Sequence, residues 1–264
     1  MTTNILPKFG QIEIFNKFPL MSKLMRDVEY ELVKRNIREV DIYHISPRDF
    51  DEQIKKIVND GLIWIPIYRI KFFSGFSFKH QFTEKMDDNT LVYGVIGKDL
   101  ESVKNFEYYS RQGTKKAEEE MGKMLNYPEC CSTFFADSWV EGHKDLLPLT
   151  VMNSEHERLG PNHYKVSNYN ILITEHLKYF GPRIISHMPC SFDCEESIKR
   201  AKIWESVARD LDPKLTDYIL KILNYPSEWS VLNQYIYVDH VNFKGYVSKA
   251  EYPLDFSFKV EFLP

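Results

Sequence analysis

The sequence predicts an α+β protein, and three features of its patterning carry that expectation. Helical-period stripes alternate with β-branched and aromatic runs in the N-terminal part, helical patterns dominate the middle, and strict period-two alternation appears near the C-terminus. The expected organisation is a mixed α/β part over residues 1–110, a helical cysteine-bearing part over 111–226, and a C-terminal β part with a small antiparallel sheet over 227–264. With 264 residues, these parts can share one compact domain and bury a substantial core without covalent staples.

From Ser22 to Lys34 the positions Leu24, Met25, Val28 and Leu32 recur at helical spacing and predict an amphipathic helix. Val40 to Ile45 reads as a short strand. Ser46 and Pro47 then supply an N-cap and a preset first turn for a helix with Phe50, Ile54, Ile57 and Val58 as its buried stripe, closed by Gly61. Leu62 to Ile70 and Leu91 to Ile96 read as strands, and Gly97-Lys98-Asp99 leads into a helix reaching about Tyr108. A further helix spans Thr114 to Leu125 through Ala117, Met121 and Leu125, and Asn126-Tyr127-Pro128 stops it. The same four residues, Leu-Asn-Tyr-Pro, recur at 223–226 without a cysteine, which marks the element as helix-stop syntax.

Residues 166–180 carry apolar positions at helical spacing (Tyr169, Leu172, Ile173, His176, Phe180) and are expected to be helical up to Gly181-Pro182. After Ser191 a long helix is expected, with Cys194, Ile198, Ala201, Trp204, Val207 and Leu211 on one face. Strands are expected at Gln234 to Val241, Tyr246 to Lys249 and Phe256 to Phe262, the last alternating Phe256, Phe258, Val260 and Phe262.

At 43% hydrophobic and 27% charged, with 18 Phe and 16 Tyr, the composition is that of a folded, aromatic-rich protein. A net charge of -4 and a pI near 6.1 give no whole-protein attraction to phosphate backbones or anionic lipid, so neither nucleic acid nor membrane is an expected partner. The run Arg69 to His80 interleaves basic and aromatic residues as single-strand-binding surfaces do, but reads more simply as a hairpin with one buried aromatic face. Met1 to Gly10 lacks the pattern of a secretory signal, and a cytoplasmic location is expected.

In a reducing cytoplasm thiols persist as core residues, catalytic groups or metal ligands rather than as disulfides. The four cysteines are Cys130, Cys131, Cys190 and Cys194. Pro128 at a first helical position would place Cys130 and Cys131 in a helix's first turn, and Ser191 as N-cap would do the same for Cys194, with Cys190 just outside. Backbone N–H groups at a helix start favour thiolate, and four thiolates in one place call for a compensating cation. His187 is a fifth candidate ligand, in contact with the ion or as a supporting donor.

Ordinary zinc pairs are separated by two to four residues, so the adjacent Cys130 and Cys131 suit an iron-sulfur cluster better than one tetrahedral ion. Zinc, an isolated redox dithiol and plain core packing stay open as alternatives. His143, His156, His163 and His176 each read as surface or satisfied core residues, and Glu129, Asp193 and Glu195 are explained as first-turn acids. No nucleotide-binding glycine loop and no Ser-His-Asp set is present in the sequence.

Three segments resemble a prokaryotic family of unknown function. They are Gly97-Lys98-Asp99, the run Gly122-Lys123-Met124-Leu125-Asn126-Tyr127-Pro128-Glu129-Cys130-Cys131, and the run His187-Met188-Pro189-Cys190-Ser191-Phe192-Asp193-Cys194-Glu195-Glu196-Ser197. The resemblance covers roughly residues 90–210; it implies that both cysteine segments belong to one domain, and it implies no reaction. Asn126 stands where that pattern has Gly, a replacement that keeps a positive φ accessible. The function expected from the sequence is that of a metal-binding protein, an iron-sulfur oxidoreductase or sulfur transferase if it is an enzyme. The alternative is a zinc-stabilised, non-catalytic module that binds a protein or RNA partner.

Overall fold

A computed structural model describes residues 9–71, 83–84, 90–143, 145–231, 233, 235–241, 243–246 and 257–264. Helix α1, Phe9–Lys34, begins well before the Ser22 expected and contains Pro19. Its predicted stripe of Leu24, Met25, Val28 and Leu32 is buried. The chain forms two compact units, one of Asp27–Leu146 and one joining Leu147–Pro264 to residues up to Arg26.

The first unit contains β1 (Val40–Ile45), α2 (Phe50–Asn59), β2 (Ile63–Lys71), β3 (Thr90–Gly97), α3 (Leu100–Ser110), α4 (Lys115–Met124) and α5 (Glu129–Val140). Its sheet runs β1-β3-β2, and both pairings are antiparallel. Successive strand residues point to opposite faces. Val95 accordingly packs with Val103, Phe106 and Leu125 on one face, while Ile96 packs with Tyr30, Val33 and Ile57 on the other. The central strand is therefore apolar on both sides. Val58, expected in the buried stripe of α2, is exposed, because one helical residue beyond the buried Ile57 lies about 100° round the axis.

Local syntax decides the helix starts. Asp99 accepts the Ser102 N–H at the start of α3 and Thr114 accepts the Ala117 N–H at the start of α4, each satisfying an orphan donor. Gly61 follows α2 with φ 72°, the left-handed conformation its predicted closing role requires.

The second unit adds α6 (Leu147–Asn153), β4 (Glu157–Gly160), β5 (His163–Val166), α7 (Glu195–Leu211), α8 (Pro213–Leu223), β6 (Ser227–Ser230), β7 (Tyr235–Val238), β8 (Phe243–Tyr246) and β9 (Lys259–Phe262). The C-terminal sheet is larger than expected and mixed. Its order is β4-β5-β9-β6-β7-β8, and β9 pairs parallel to β5. The hairpin β4-β5 supplies the two strands that the sequence patterning left unassigned, and β9 inserts between β5 and β6. The alternation of Phe258, Val260 and Phe262 faces inward as expected, while Phe256 lies outside the described residues.

The helix expected over 166–180 is replaced by two single 3-10 turns, Ile171–Ile173 and Lys178–Phe180. Ile173 to Leu177 are five consecutive buried residues, so the segment has no solvent face for an amphipathic helix to present. His176 sits here, stacked on Phe262 with ring centroids 4.3 Å apart, and its Nε2 lies 2.9 Å from Ser227 Oγ. Burial depresses its pKa to about 3. An unfolded His176 takes up a proton near pH 6.5 while the folded one stays neutral, so its contribution to stability is complete above 6.5 and is lost as pH falls toward 3. A His176→Gln variant is expected to lose less stability than the parent across that window in urea titrations. Parallel curves would show that His176 does not govern the acid limb.

Both Leu-Asn-Tyr-Pro copies follow helices, as expected, yet with different backbones: Asn126 has φ 56° and Asn224 has φ -89°. Of the segment Arg69–His80, everything after Lys71 lies outside the described residues. Among the described residues no helix is long and apolar enough to cross a membrane.

Candidate metal centre

The double cysteine sits at the start of α5. Tyr127 N–H donates to Gly122 C=O (2.9 Å), and Asn126, in the left-handed conformation anticipated for it, donates from Nδ2 to Ile37 C=O (2.8 Å). The Arg38 guanidinium lies 5.4 Å from the centre of the Tyr127 ring. The turn before the cysteines is thus tied to the chain entering β1. Pro128, expected as the first helical residue, is instead the N-cap, with φ -57° and an extended ψ of 140°. Cys130 and Cys131 are therefore the second and third residues of α5, still within its first turn.

Gly122 has a packing role that the motif alone left unexplained. A Cβ there would lie 2.3 Å from Ser132 Oγ and 2.7 Å from Ser132 Cβ, so α4 and α5 meet where no methyl group fits. The hydroxyl can rotate away but the Cβ cannot. Gly122→Ala is expected to cost about 1–3 kcal/mol by overpacking, and to displace the turn carrying Cys131, which immediately precedes Ser132. Urea denaturation together with a metal-affinity titration checks this, and unchanged values for both would refute the packing argument.

The second pair is held by residues that sequence patterning missed. Thr150 Oγ1 donates to Pro189 C=O (3.0 Å), Asn153 Nδ2 donates to Cys190 C=O (3.1 Å), and Phe192 N–H donates to Ser154 Oγ (2.8 Å). The Phe192 carbonyl accepts the Asn170 N–H (3.1 Å). These bonds consume backbone groups that a helix capped by Ser191 would need. Cys194, rather than Ser191, is consequently the N-cap of α7. The only hint in the sequence was the polar run Thr150, Asn153, Ser154, which has no meaning until its partner segment is known.

His187 is buried, with its Nε2 2.8 Å from Ser197 Oγ and its ring edge-on to Trp204 at 5.5 Å. This contact brackets the segment that carries Cys190 and Cys194, since His187 precedes both and Ser197 is in the first turn of α7. Of the other histidines considered, His163 Nε2 pairs with Glu261 (2.8 Å), His156 Nδ1 with the Ser154 carbonyl (2.9 Å), and His143 is an exposed neighbour of Glu141. His176 is buried against Phe262 as described.

Among the described residues, Cys130, Cys131, Cys190 and Cys194 form a group able to hold a metal ion, with their sulfur atoms all within 4.8 Å of one another. None is in a disulfide. The adjacent pair, whose spacing in sequence is unlike that of ordinary zinc pairs, has its sulfurs 3.8 Å from each other. Cys130 is exposed, Cys131 is buried, and Cys190 and Cys194 are partly buried.

Electrostatic magnitudes decide what such a group requires. Two charges about 4 Å apart cost about 4 kcal/mol at an effective dielectric near 20, and four thiolates make six such pairs. Neither Pro128 nor Cys194 closes its helix start with a side-chain capping bond, and the N–H groups of a helix's first turn favour negative charge. A helix terminus contributes only about 0.3–1 kcal/mol to each charge. A cation, or protons on most of the sulfurs, is needed to balance the group. Comparison with protein-family models, with curated proteins and with solved structures finds no match for this chain.

Proposed function

We propose that Cys130, Cys131, Cys190 and Cys194 bind one tetrahedral metal ion, that the ion is zinc, and that the protein is a zinc-stabilised binding module. The observation carrying this reading is the sulfur spacing, 3.8 Å between neighbours and at most 4.8 Å across the group. A zinc–sulfur bond of about 2.3 Å in a tetrahedron places sulfurs about 3.8 Å apart. A multi-iron cluster puts its cysteines on separate metal corners and holds them wider. His187 acts on this reading as the supporting donor, keeping the Cys190–Cys194 segment in place through Ser197 rather than touching the ion. A reducing cytoplasm would keep the thiolates available. The two motif segments would then be the signature of a metal-binding family.

A second reading, an iron-sulfur protein with a redox or sulfur-transfer role, is favoured by the adjacency of Cys130 and Cys131 at the start of α5. Anaerobic purification with metal analysis and a visible spectrum separates the two. Colourless protein with one zinc per chain supports the first; brown protein with stoichiometric iron and acid-labile sulfide supports the second. Protein that binds neither metal on reconstitution overturns both.

A further inference from the structure

The four sulfurs are unequal, and the inequality has chemical consequences. Cys130 alone is exposed, while its neighbour Cys131 is buried. Cys130 is also the second residue of α5, where backbone N–H groups stabilise a thiolate and so keep it nucleophilic. Three further sulfurs lie within 4.8 Å of it. Resting on the zinc reading, we propose that Cys130 is a hydroperoxide-reactive thiolate, and that its oxidation converts the centre to a disulfide and expels the ion.

In the first step the Cys130 thiolate attacks the terminal peroxide oxygen. A sulfur–oxygen bond forms, the oxygen–oxygen bond breaks, and the departing alkoxide takes a proton to become an alcohol, or water where the oxidant is hydrogen peroxide. Cys130 is then a sulfenic acid. In the second step the thiolate of Cys190 or Cys194 attacks that sulfur, a disulfide forms, and hydroxide leaves and is protonated to water. Two thiolates have lost two electrons and the peroxide has gained them. Cys131 is a poor partner for this step, because a disulfide between adjacent residues is strained. The ion keeps two of its four ligands and dissociates. Oxidants are favoured over alkylating electrophiles as the reactive class because only a sulfenic acid gives the neighbouring sulfurs a following step; a thioether would end the chemistry.

The test uses full-length protein whose zinc content is measured first, then treated with substoichiometric hydrogen peroxide. Zinc release is followed with a chromogenic chelator, and modified cysteines are mapped by mass spectrometry with a sulfenic-acid trap. The expected result is Cys130 as the first residue trapped, a Cys130–Cys190 or Cys130–Cys194 disulfide, zinc released in step with it, and release slowed about tenfold or more in Cys130→Ser. Oxidation of Cys190 or Cys194 before Cys130, a Cys130–Cys131 disulfide as the main product, or zinc release with no disulfide overturns the proposal. Mapping of the parent protein decides the matter even if the serine variant does not fold. Protein that carries no zinc at the outset defeats the zinc reading, and the order of cysteine oxidation then judges the Cys130 assignment independently.

Discussion

Serine in place of Cys131 is expected to abolish stoichiometric metal binding and to bring the protein to the stability of its chelated parent. Cys131 is buried, so a hydroxyl there meets neither the ion's preference for thiolate nor water as a substitute partner. Loss of supporting contacts alone commonly costs about 10–100-fold in affinity, so loss of a direct ligand should exceed about a hundredfold. Metal bound at a thousand times its dissociation constant stabilises the folded state by about 4 kcal/mol, which corresponds to a fall in Tm of about 10 °C on chelation. Calorimetry of parent and variant, with and without chelator, measures both effects. A Cys131→Ser protein that retains one tightly held ion would remove Cys131 from the ligand set. Cys130→Ser, altered at the exposed corner, is expected to lose less, because water can compensate there.

Removing the Arg38 side chain as Arg38→Met is expected to cost about 3–5 kcal/mol, because it leaves a buried carboxylate without its counter-charge. Arg38 and Asp41 form an ion pair with side chains 0% and 6% exposed. Desolvation lifts the Asp41 carboxyl to about 7 even against the pull of Arg38. Without the guanidinium that carboxyl is pushed higher still. A raised acid contributes its stability below its unfolded pKa and loses it as pH rises through the folded value, so the variant's deficit should be larger at pH 8 than at pH 5. The double variant Arg38→Met with Asp41→Leu should recover a large part of the loss, since it buries no charge. Equal deficits at both pH values, or no recovery in the double variant, would show that the pair is not the source of the cost. Because Arg38 also faces Tyr127, metal affinity in Arg38→Met reports how far the turn before Cys130 depends on this anchor.

The legibility of the fold followed the reach of the forces involved. Val40–Ile45 was readable to the residue, and α3 and α4 to within a residue or two, because Asp99 and Thr114 cap them through bonds spanning three residues. The period-two pattern at 258–262 was likewise visible, since alternation is a property of the strand itself. The segment 166–180 misled because its apolar spacing matches a helix, while its five consecutive buried residues are buried by distant partners such as Phe262. Cys194 became an N-cap for the same reason: Ser154 and Asn170 claim the backbone of Phe192 from 38 and 22 positions away.

By itself the sequence determined the α+β class, the placing of Cys130 and Cys131 in a helix's first turn, and the identity of the four sulfurs, because each depends on residue type and on neighbours within a few positions. Only the tertiary structure decided that sulfurs separated by about sixty residues of chain come within 4.8 Å, that Cys130 faces solvent while Cys131 does not, and that His187 engages Ser197. Those outcomes rest on contacts between remote segments, and spacing along a chain carries no information about distance through space.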